Sequence, residues 1–526
     1  MGTSSAWGDP DPRFKSSIVS LKKNVVANYC GQGWQALMGL AFVPLYIRYL
    51  GIEAYGLIGI FALLQAWLTL IDMGMKPALS REMARFTAGA HNAQSIRNLL
   101  RSVEIIGIAI AGVIVLSIWA SSGWLAVHWV TPKTLSVEVV AQAFVVMGVV
   151  TGLRFIENIY VSSIVGLQRQ VLQNVAISMM ATMRGLGAVI VLAWVSPTIS
   201  GFFFWQGVVS LLTVALVGRI VYRTLPPAPL PTRFSGPALM GIWRFAAGMM
   251  TITLLSLLLT QIDKILLSRL LTLQAYGYSA LAGVVVSGLY SLVSPITAAF
   301  YPRFTGMVTS GNHLALRDAY HEAAQLVTVL MGSAAIVLSV FGSKVMMLWT
   351  GDPQLVQEVA PLVAVLALGT LLNGLMWIPY QTMLAHGWTI LTIRANIVAV
   401  IILLPTLLWV VPRHGAIGAA WIWVMLNAGN ITCTISLMHR RLLPLDKWRW
   451  YGQDVGVPLV AAAAAALLCH RVMPRSLGRP GEVVLLAGMS ASVLLASAVA
   501  APAVRSQLIR YARGAIGHSG ASPHHD

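Results

Sequence analysis

Apolar runs of about twenty residues follow one another from residue 24 to residue 503, separated by short polar turns. Each is long enough to cross the hydrocarbon of a bilayer as a helix rising about 1.5 Å per residue. Lipid offers the backbone no hydrogen-bond partners, so only helices or closed barrels can span it, and these runs are about twice the length of a barrel strand. The expectation is an all-α polytopic membrane protein with about fourteen transmembrane helices. The spans fall at 24–47, 55–76, 99–120, 139–165, 175–195 and 200–221, then at 245–268, 276–301, 320–348, 357–385, 391–411 and 416–438. A last pair follows at 455–473 and 482–503. At 57% hydrophobic and 10% charged residues, a soluble fold of this length could not bury its apolar surface.

The spans repeat. Arg48-Tyr49-Leu50-Gly51-Ile52-Glu53-Ala54-Tyr55-Gly56 returns 221 positions later as Arg269-Leu270-Leu271-Thr272-Leu273-Gln274-Ala275-Tyr276-Gly277. Arg97 returns as Arg317, Trp129 as Trp349, Tyr160 as Tyr380 and Arg219 as Arg440. Two units of six spans each face the same way, because an even number of crossings returns the chain to its starting side. A parallel repeat with its pseudo-twofold along the membrane normal follows, a plan that transporters use. The expected organisation is an N-terminal tail at 1–23, an N-lobe at 24–222, a linker at 223–244, a C-lobe at 245–440, two extra spans within 441–503 and a C-terminal tail at 504–526. The linker carries Pro226, Pro227, Pro229, Pro231 and Arg233 and reads as an exposed connector.

A net charge of +18 invites a nucleic-acid reading, but topology explains much of it. With the N-terminus inside, 24 of the 35 Lys and Arg fall on the cytosolic side, 8 outside and 3 within spans. The remaining positive charge suits anionic headgroups, and no nucleic-acid partner is expected. The polar start is not a signal peptide, because the apolar run after it is too long and lacks a cleavage site. Cys30, Cys433 and Cys469 all lie in apolar runs, which argues against a disulfide framework or metal cluster. The segment from Lys76 to Arg101 reads as cytosolic, a solvated connector with a segment lying on the membrane surface as the alternative.

The sequence holds no P-loop, metal-ligand or hydrolase motif, so no catalytic residue, metal or cofactor is expected and the chain is not read as an enzyme. Its chemistry lies in polar residues within spans. Asn24, Asn28, Gln32, Gln35 and Gly39 share one face of the first span. Thr253, Ser256 and Thr260 occupy the equivalent face of the seventh, at the 221-residue offset. Two equivalent polar faces suggest a shared cavity, with interhelical hydrogen bonding as the simpler alternative. Thr370, Asn373, Trp377 and Gln381 form a similar stripe in the tenth span.

Arg154, Arg184 and Lys264 are cations inside spans, where a charge must pair, snorkel or meet water. Glu157 lies three residues from Arg154 and could neutralise it. Arg184 has no local acid, leaving an anion, a carboxylate from another helix or cavity water. Guanidinium grips phosphate oxygens bidentately, so Arg154 and Arg184, with Lys264, are diphosphate candidates. Gln32, Gln35, Asn373 and Trp377 are sugar-contact candidates, with Trp34, Tyr160 and Tyr380 as further stacking residues. His386 and His439 read as isolated structural groups. Asp263 has no counterpart charge in the first unit (Phe42 stands there) and is the candidate for ion coupling.

The segment Val43 to Ala84 also resembles the Wzx-type oligosaccharide flippases of the multidrug/oligosaccharidyl-lipid/polysaccharide exporter superfamily. Leu50-Gly51, Tyr55-Gly56, Asp72, Gly74, Arg81 and Ala84 stand in the family pattern, and Asp263-Lys264-Ile265-Leu266 with Tyr276-Gly277-Tyr278-Ser279-Ala280 resemble its second half. The likeness covers roughly 20–445. It implies two six-helix lobes, a cation-rich cavity, alternating access, and flipping of undecaprenyl-diphosphate-linked oligosaccharide from the cytosolic to the periplasmic leaflet for surface polysaccharide. It further implies a bacterial inner membrane, with the polysaccharide polymerase and chain-length machinery as candidate partners, while the Lys/Arg bias leads to the expectation that both termini are cytosolic. The extra pair of spans departs from the twelve-span pattern. A drug/cation antiporter is less well matched, since 24–47 lacks an acid. A lipid II flippase would typically carry charges in that first span. A membrane-embedded glycosyltransferase or polymerase would need a catalytic site and a large loop that the sequence lacks.

Overall fold

The computed structural model describes residues 30–71, 75–87, 91–228, 230–236, 239–240, 261–388, 390–474 and 478–518. Among these residues the regular structure is all helix, and eleven helices are long and apolar enough to cross a membrane. The longest, Ile390–Leu442, breaks at Gly415 (φ 60°, ψ −151°) and so covers the two spans expected at 391–411 and 416–438. Gly51 (φ 80°, ψ 166°) likewise breaks Val43–Ile71 between the first and second expected spans. Both turns need a backbone conformation that side chains disfavour. The chain is thus an all-α, multi-pass membrane protein. Residues 24–29 and most of 245–268, including Asn24, Asn28, Thr253, Ser256 and Thr260, lie outside the described residues.

Two compact units divide the chain, Met1–Gln261 and Ile262–Asp526. The first holds residues 30–41 (α1), Val43–Ile71 (α2), Met75–Thr87 (α3), Ala93–Trp124 (α4), Val137–Gly166 (α5), Gln170–Ile190 (α6) and Ile199–Thr224 (α7). Helix α5 is its hub and packs on α3, α4 and α7. Helix α3 corrects the sequence reading of 76–101 as a solvated connector. Met75, Ala78, Leu79 and Met83 are all at most 4% exposed. Their spacing of three, one and four residues forms a narrow apolar stripe on an otherwise polar helix. At its end the Glu82 carboxylate accepts from Arg85 (3.0 Å) and His91 (2.8 Å). Burial opposes its charge, but these two hydrogen bonds outweigh burial and hold the carboxyl below its usual range.

The second unit holds all but the first residue of the helix 261–270 (α8), then Leu273–Thr309 (α9), His313–Val327 (α10), Ser333–Thr350 (α11), Pro353–Leu375 (α12), Trp377–Ala385 (α13) and Ile390–Asn430 (α14). It continues with Ser436–Leu442 (α15), Lys447–Arg449 (α16), Val457–Val472 (α17), Arg479–Ala500 (α18) and Pro502–His518 (α19). Helix α12 packs on α9, α11 and α14. The two extra spans, α17 and α18, lie against α11 through Phe341, Ala462, Ala466 and Val493, each at most 1% exposed.

Some positions matched in the sequence comparison of the two units have comparable surroundings. Tyr55 and Tyr276 are each 3% exposed. Arg97 donates to the carbonyls of Tyr222, Leu225 and Pro226, which end α7. Its counterpart Arg317 pairs at 2.6 Å with Asp446, which follows α15 at the matching place. In the first unit Gln94, Asn98 and Ser102, one turn apart on α4, accept the backbone N–H groups of Leu230, Arg233 and Ser235. This polar ladder holds the start of the linker in extended form along α4.

Candidate functional site

In the first unit two arginines and a glutamate of the spans come together at one place. Arg184 sits on α6 beside two glycines that let neighbouring aromatics close in. A Cβ on Gly185 would lie 2.3 Å from the Phe42 ring, and one on Gly187 2.2 Å from Trp205. Trp205 donates to the Met183 carbonyl (3.1 Å) and Tyr46 to that of Gly185 (3.3 Å), so both flanks of Arg184 are pinned. Arg184 Nη2 then meets Glu157 Oε2 of α5 at 2.8 Å, with the Ser210 and Thr213 hydroxyls of α7 at 3.5 Å. The expected local pair is therefore corrected: Glu157 is the ion-pair partner of Arg184, on another helix, and not of Arg154.

Arg154 instead lies over the Phe61 ring, 5.0 Å from its centroid. It is close enough to interact with the charges of both Arg184 and Glu157. The Nε atoms of Arg154 and Arg184 are buried without a hydrogen-bond partner among the described residues. Two guanidinium groups and one carboxylate leave one net positive charge inside the spans. Such an arrangement can accept an anion through donors that are already desolvated.

Gln35 donates to the Gly31 carbonyl (3.1 Å), and Gln32 is exposed on α1. Trp34 donates to the Thr182 hydroxyl at 2.9 Å, which ties α1 to α6. Tyr160 packs on Gly218 of α7. In the second unit Asp263 Oδ1 is buried with no hydrogen-bond partner among the described residues, while the adjoining Lys264 is exposed.

Asn373 and Trp377 come together where the tenth span bends. Helix α12 ends at Leu375 and α13 starts at Trp377, with Pro379 unable to donate back to the Leu375 carbonyl. Tyr290 of α9 donates to Asn373 Oδ1 (3.0 Å) and stacks on Trp377, with centroids 5.3 Å apart. Asn373 in turn donates to Asn427 Oδ1 (3.0 Å). Asn373 and Trp377 line a cleft of about 220 Å³.

Sequence reading missed a buried charge cluster in the second unit. His321 Nδ1 hydrogen-bonds Asp454, and its Nε2 lies 3.1 Å from Asp446 Oδ1 without good hydrogen-bond alignment. Gln325 donates to Asp454 (2.8 Å) and accepts from the Ala503 backbone (2.7 Å). His439 is not isolated: its Nε2 meets Tyr320 Oη at 3.1 Å, both fully buried. The cluster ties α10 to the segments before α17 and at the start of α19. Its only sequence signal is polar residues at 317, 321 and 325, one turn apart on α10.

These features define a multi-pass helical protein with an anion-competent cluster in its first unit and a polar cleft in its second. The model of the family described as polysaccharide biosynthesis protein matches residues 21–308, and the chain belongs to that family. It is 19% identical to a Shigella flexneri protein named "Putative O-antigen transporter" over 408 residues, 77% of this chain and 94% of that one. Its fold is similar to that of the lipid II flippase MurJ in an inward closed conformation, at a TM-score of 0.66 and 10% identity over 90% of this chain and 98% of that one. It is also similar to an inward-facing multidrug resistance MATE family transporter, at a TM-score of 0.62 and 13% identity over 77% of this chain and 96% of that one.

Proposed function

We propose that this protein flips undecaprenyl-diphosphate-linked oligosaccharide repeat units from the cytosolic to the periplasmic leaflet of the bacterial inner membrane, for surface polysaccharide assembly. The observation that carries the reading is the net positive Arg154–Arg184–Glu157 cluster, with two buried guanidinium Nε atoms that lack a hydrogen-bond partner among the described residues. A diphosphate supplies the oxygens such donors need, and guanidinium holds them more specifically than ammonium would. Membership of a polysaccharide biosynthesis family and likeness to a named O-antigen transporter support the class of substrate. Alternating access is the proposed mode. Asp263, a span carboxylate with one oxygen lacking a hydrogen-bond partner among the described residues, is the proposed ion-coupling group, and Lys264 a further diphosphate contact. Both termini are proposed to be cytosolic.

Deleting the gene and following the lipid-linked intermediate tests this reading. Complete repeat units should accumulate on the cytosolic face, with surface polysaccharide lost and drug resistance unchanged. Truncated units would point to a transferase instead. Loss of lipid II export with normal surface polysaccharide would redirect the reading to lipid II, the ligand named for the similar MurJ fold.

A further inference from the structure

The cleft at the bend of the tenth span has a chemistry of its own. Its polar lining is neutral throughout: Asn373, Thr392, Asn396, Asn430 and Thr434 present amides and hydroxyls, with Trp377 as an aromatic wall. These residues come from three segments. Asn373 and Trp377 flank the α12–α13 break, Thr392 and Asn396 lie one turn apart at the start of α14, and Thr434 sits in a wide π-helical turn at Ile431–Ile435. No charged side chain lines the cleft among the described residues.

Two observations set this cleft apart from ordinary interhelical packing. The Thr392 hydroxyl is buried and has no hydrogen-bond partner among the described residues. A buried hydroxyl left unsatisfied is costly, so such a group marks a place where a partner is expected. Asn373 is also held in a fixed orientation, accepting from Tyr290 and donating to Asn427, while Tyr290 stacks on Trp377. The polar and aromatic walls are thus organised without a ligand.

We infer that this cleft is a glycan subsite that takes one uncharged sugar residue of the carried oligosaccharide. Sugar hydroxyls both donate and accept, as do the amides and hydroxyls here. The C–H face of a pyranose packs on an aromatic ring such as Trp377. The volume of about 220 Å³ is below the roughly 300–1,000 Å³ of pockets for larger ligands, which fits one ring and not a chain of them. A uronic acid would bring a carboxylate into a site with no cation, so the cleft selects against it. The inference rests on the flippase reading for the lipid carrier, while the sugar preference stands on the cleft.

Binding to the full-length protein in nanodiscs separates the two. The probes are undecaprenyl diphosphate bare, bearing one neutral N-acetylhexosamine, and bearing one hexuronic acid. The wild type should bind the neutral sugar-bearing carrier about tenfold more tightly than the bare one, as expected from one or two well-made polar contacts. The uronic acid should give no such advantage. Thr392→Val and Asn396→Ala should each reduce the advantage to under about threefold, and Thr392→Ser, which restores the hydroxyl, should retain it. Equal wild-type affinity for the bare and neutral-sugar carriers would overturn the subsite and leave the flippase reading standing. So would an undiminished advantage in both Thr392→Val and Asn396→Ala. Binding of none of the three probes would overturn the flippase reading and the subsite with it.

Discussion

Removing the guanidinium of Arg184 leaves the Glu157 carboxylate among the spans without its ion-pair partner. Breaking a buried pair in this way costs about 3–5 kcal/mol, so Arg184→Ala should melt markedly earlier than wild type as well as lose export. The double variant Arg184→Ala/Glu157→Gln separates the two effects. It should regain most of the thermal stability in nanodiscs while surface polysaccharide stays absent. Recovery of export in the double variant would reduce Arg184 to a structural partner. Arg184→Lys should keep partial export, since an ammonium supplies charge without the planar fork. The sequence pointed to both arginines but paired Glu157 with the wrong one. Spacing along one helix exposes i,i+3 neighbours only, whereas the actual pair joins α5 to α6. His321 was missed for the same reason, because its carboxylates come from positions 446 and 454.

At the scale of elements, side-chain straps hold segments that apolar packing alone would leave loose. The Glu53 carboxylate, just past the Gly51 turn, accepts from the backbone N–H of Lys133 (2.6 Å) and Thr134 (3.0 Å) and from the Thr134 hydroxyl. Glu53→Ala should free the turn between α4 and α5, read as faster amide exchange at 131–136 with little change elsewhere. The cluster around His321 fastens the extra spans to α10, so Asp454→Asn should lower the melting temperature and expose the 446–456 segment to protease. Its neighbour Asp446 carries a pH dependence. Burial opposes its charge, but the adjoining His321 imidazole and the Arg317 guanidinium outweigh burial and hold its carboxyl below the usual range. A depressed folded-state pKa gives stability that is present above about pH 4 and lost as pH falls through the folded value. The acid-side drop in melting temperature should therefore be smaller in Asp446→Asn than in wild type. An identical drop would remove Asp446 from the balance.

For the whole molecule, helical class and approximate spans were legible because lipid allows so few backbone solutions. Helix ends were less so. α9 runs from Leu273 to Thr309 where the apolar run suggested 276–301, because a helix continues into the interface while its backbone is satisfied. The apolar stripe of α3 escaped notice because four residues on a polar background leave little mean hydropathy. Neither Thr392 nor Asn430 stood out, since the cleft they line exists only once α12, α13 and α14 are packed. Fusion reporters test the orientation: position 229 should report cytosol, and positions 197 and 352 periplasm. The opposite result at any one would break the parallel repeat. The most direct measurement is flipping itself. Purified protein is placed in vesicles containing undecaprenyl-diphosphate-linked oligosaccharide, and the glycan reaching the opposite leaflet is followed with a membrane-impermeant glycosidase. The account predicts transfer well above that of protein-free vesicles and abolished in Arg184→Ala/Glu157→Gln. Transfer no faster than in protein-free vesicles, from a preparation that moves a cationic dye, would contradict it.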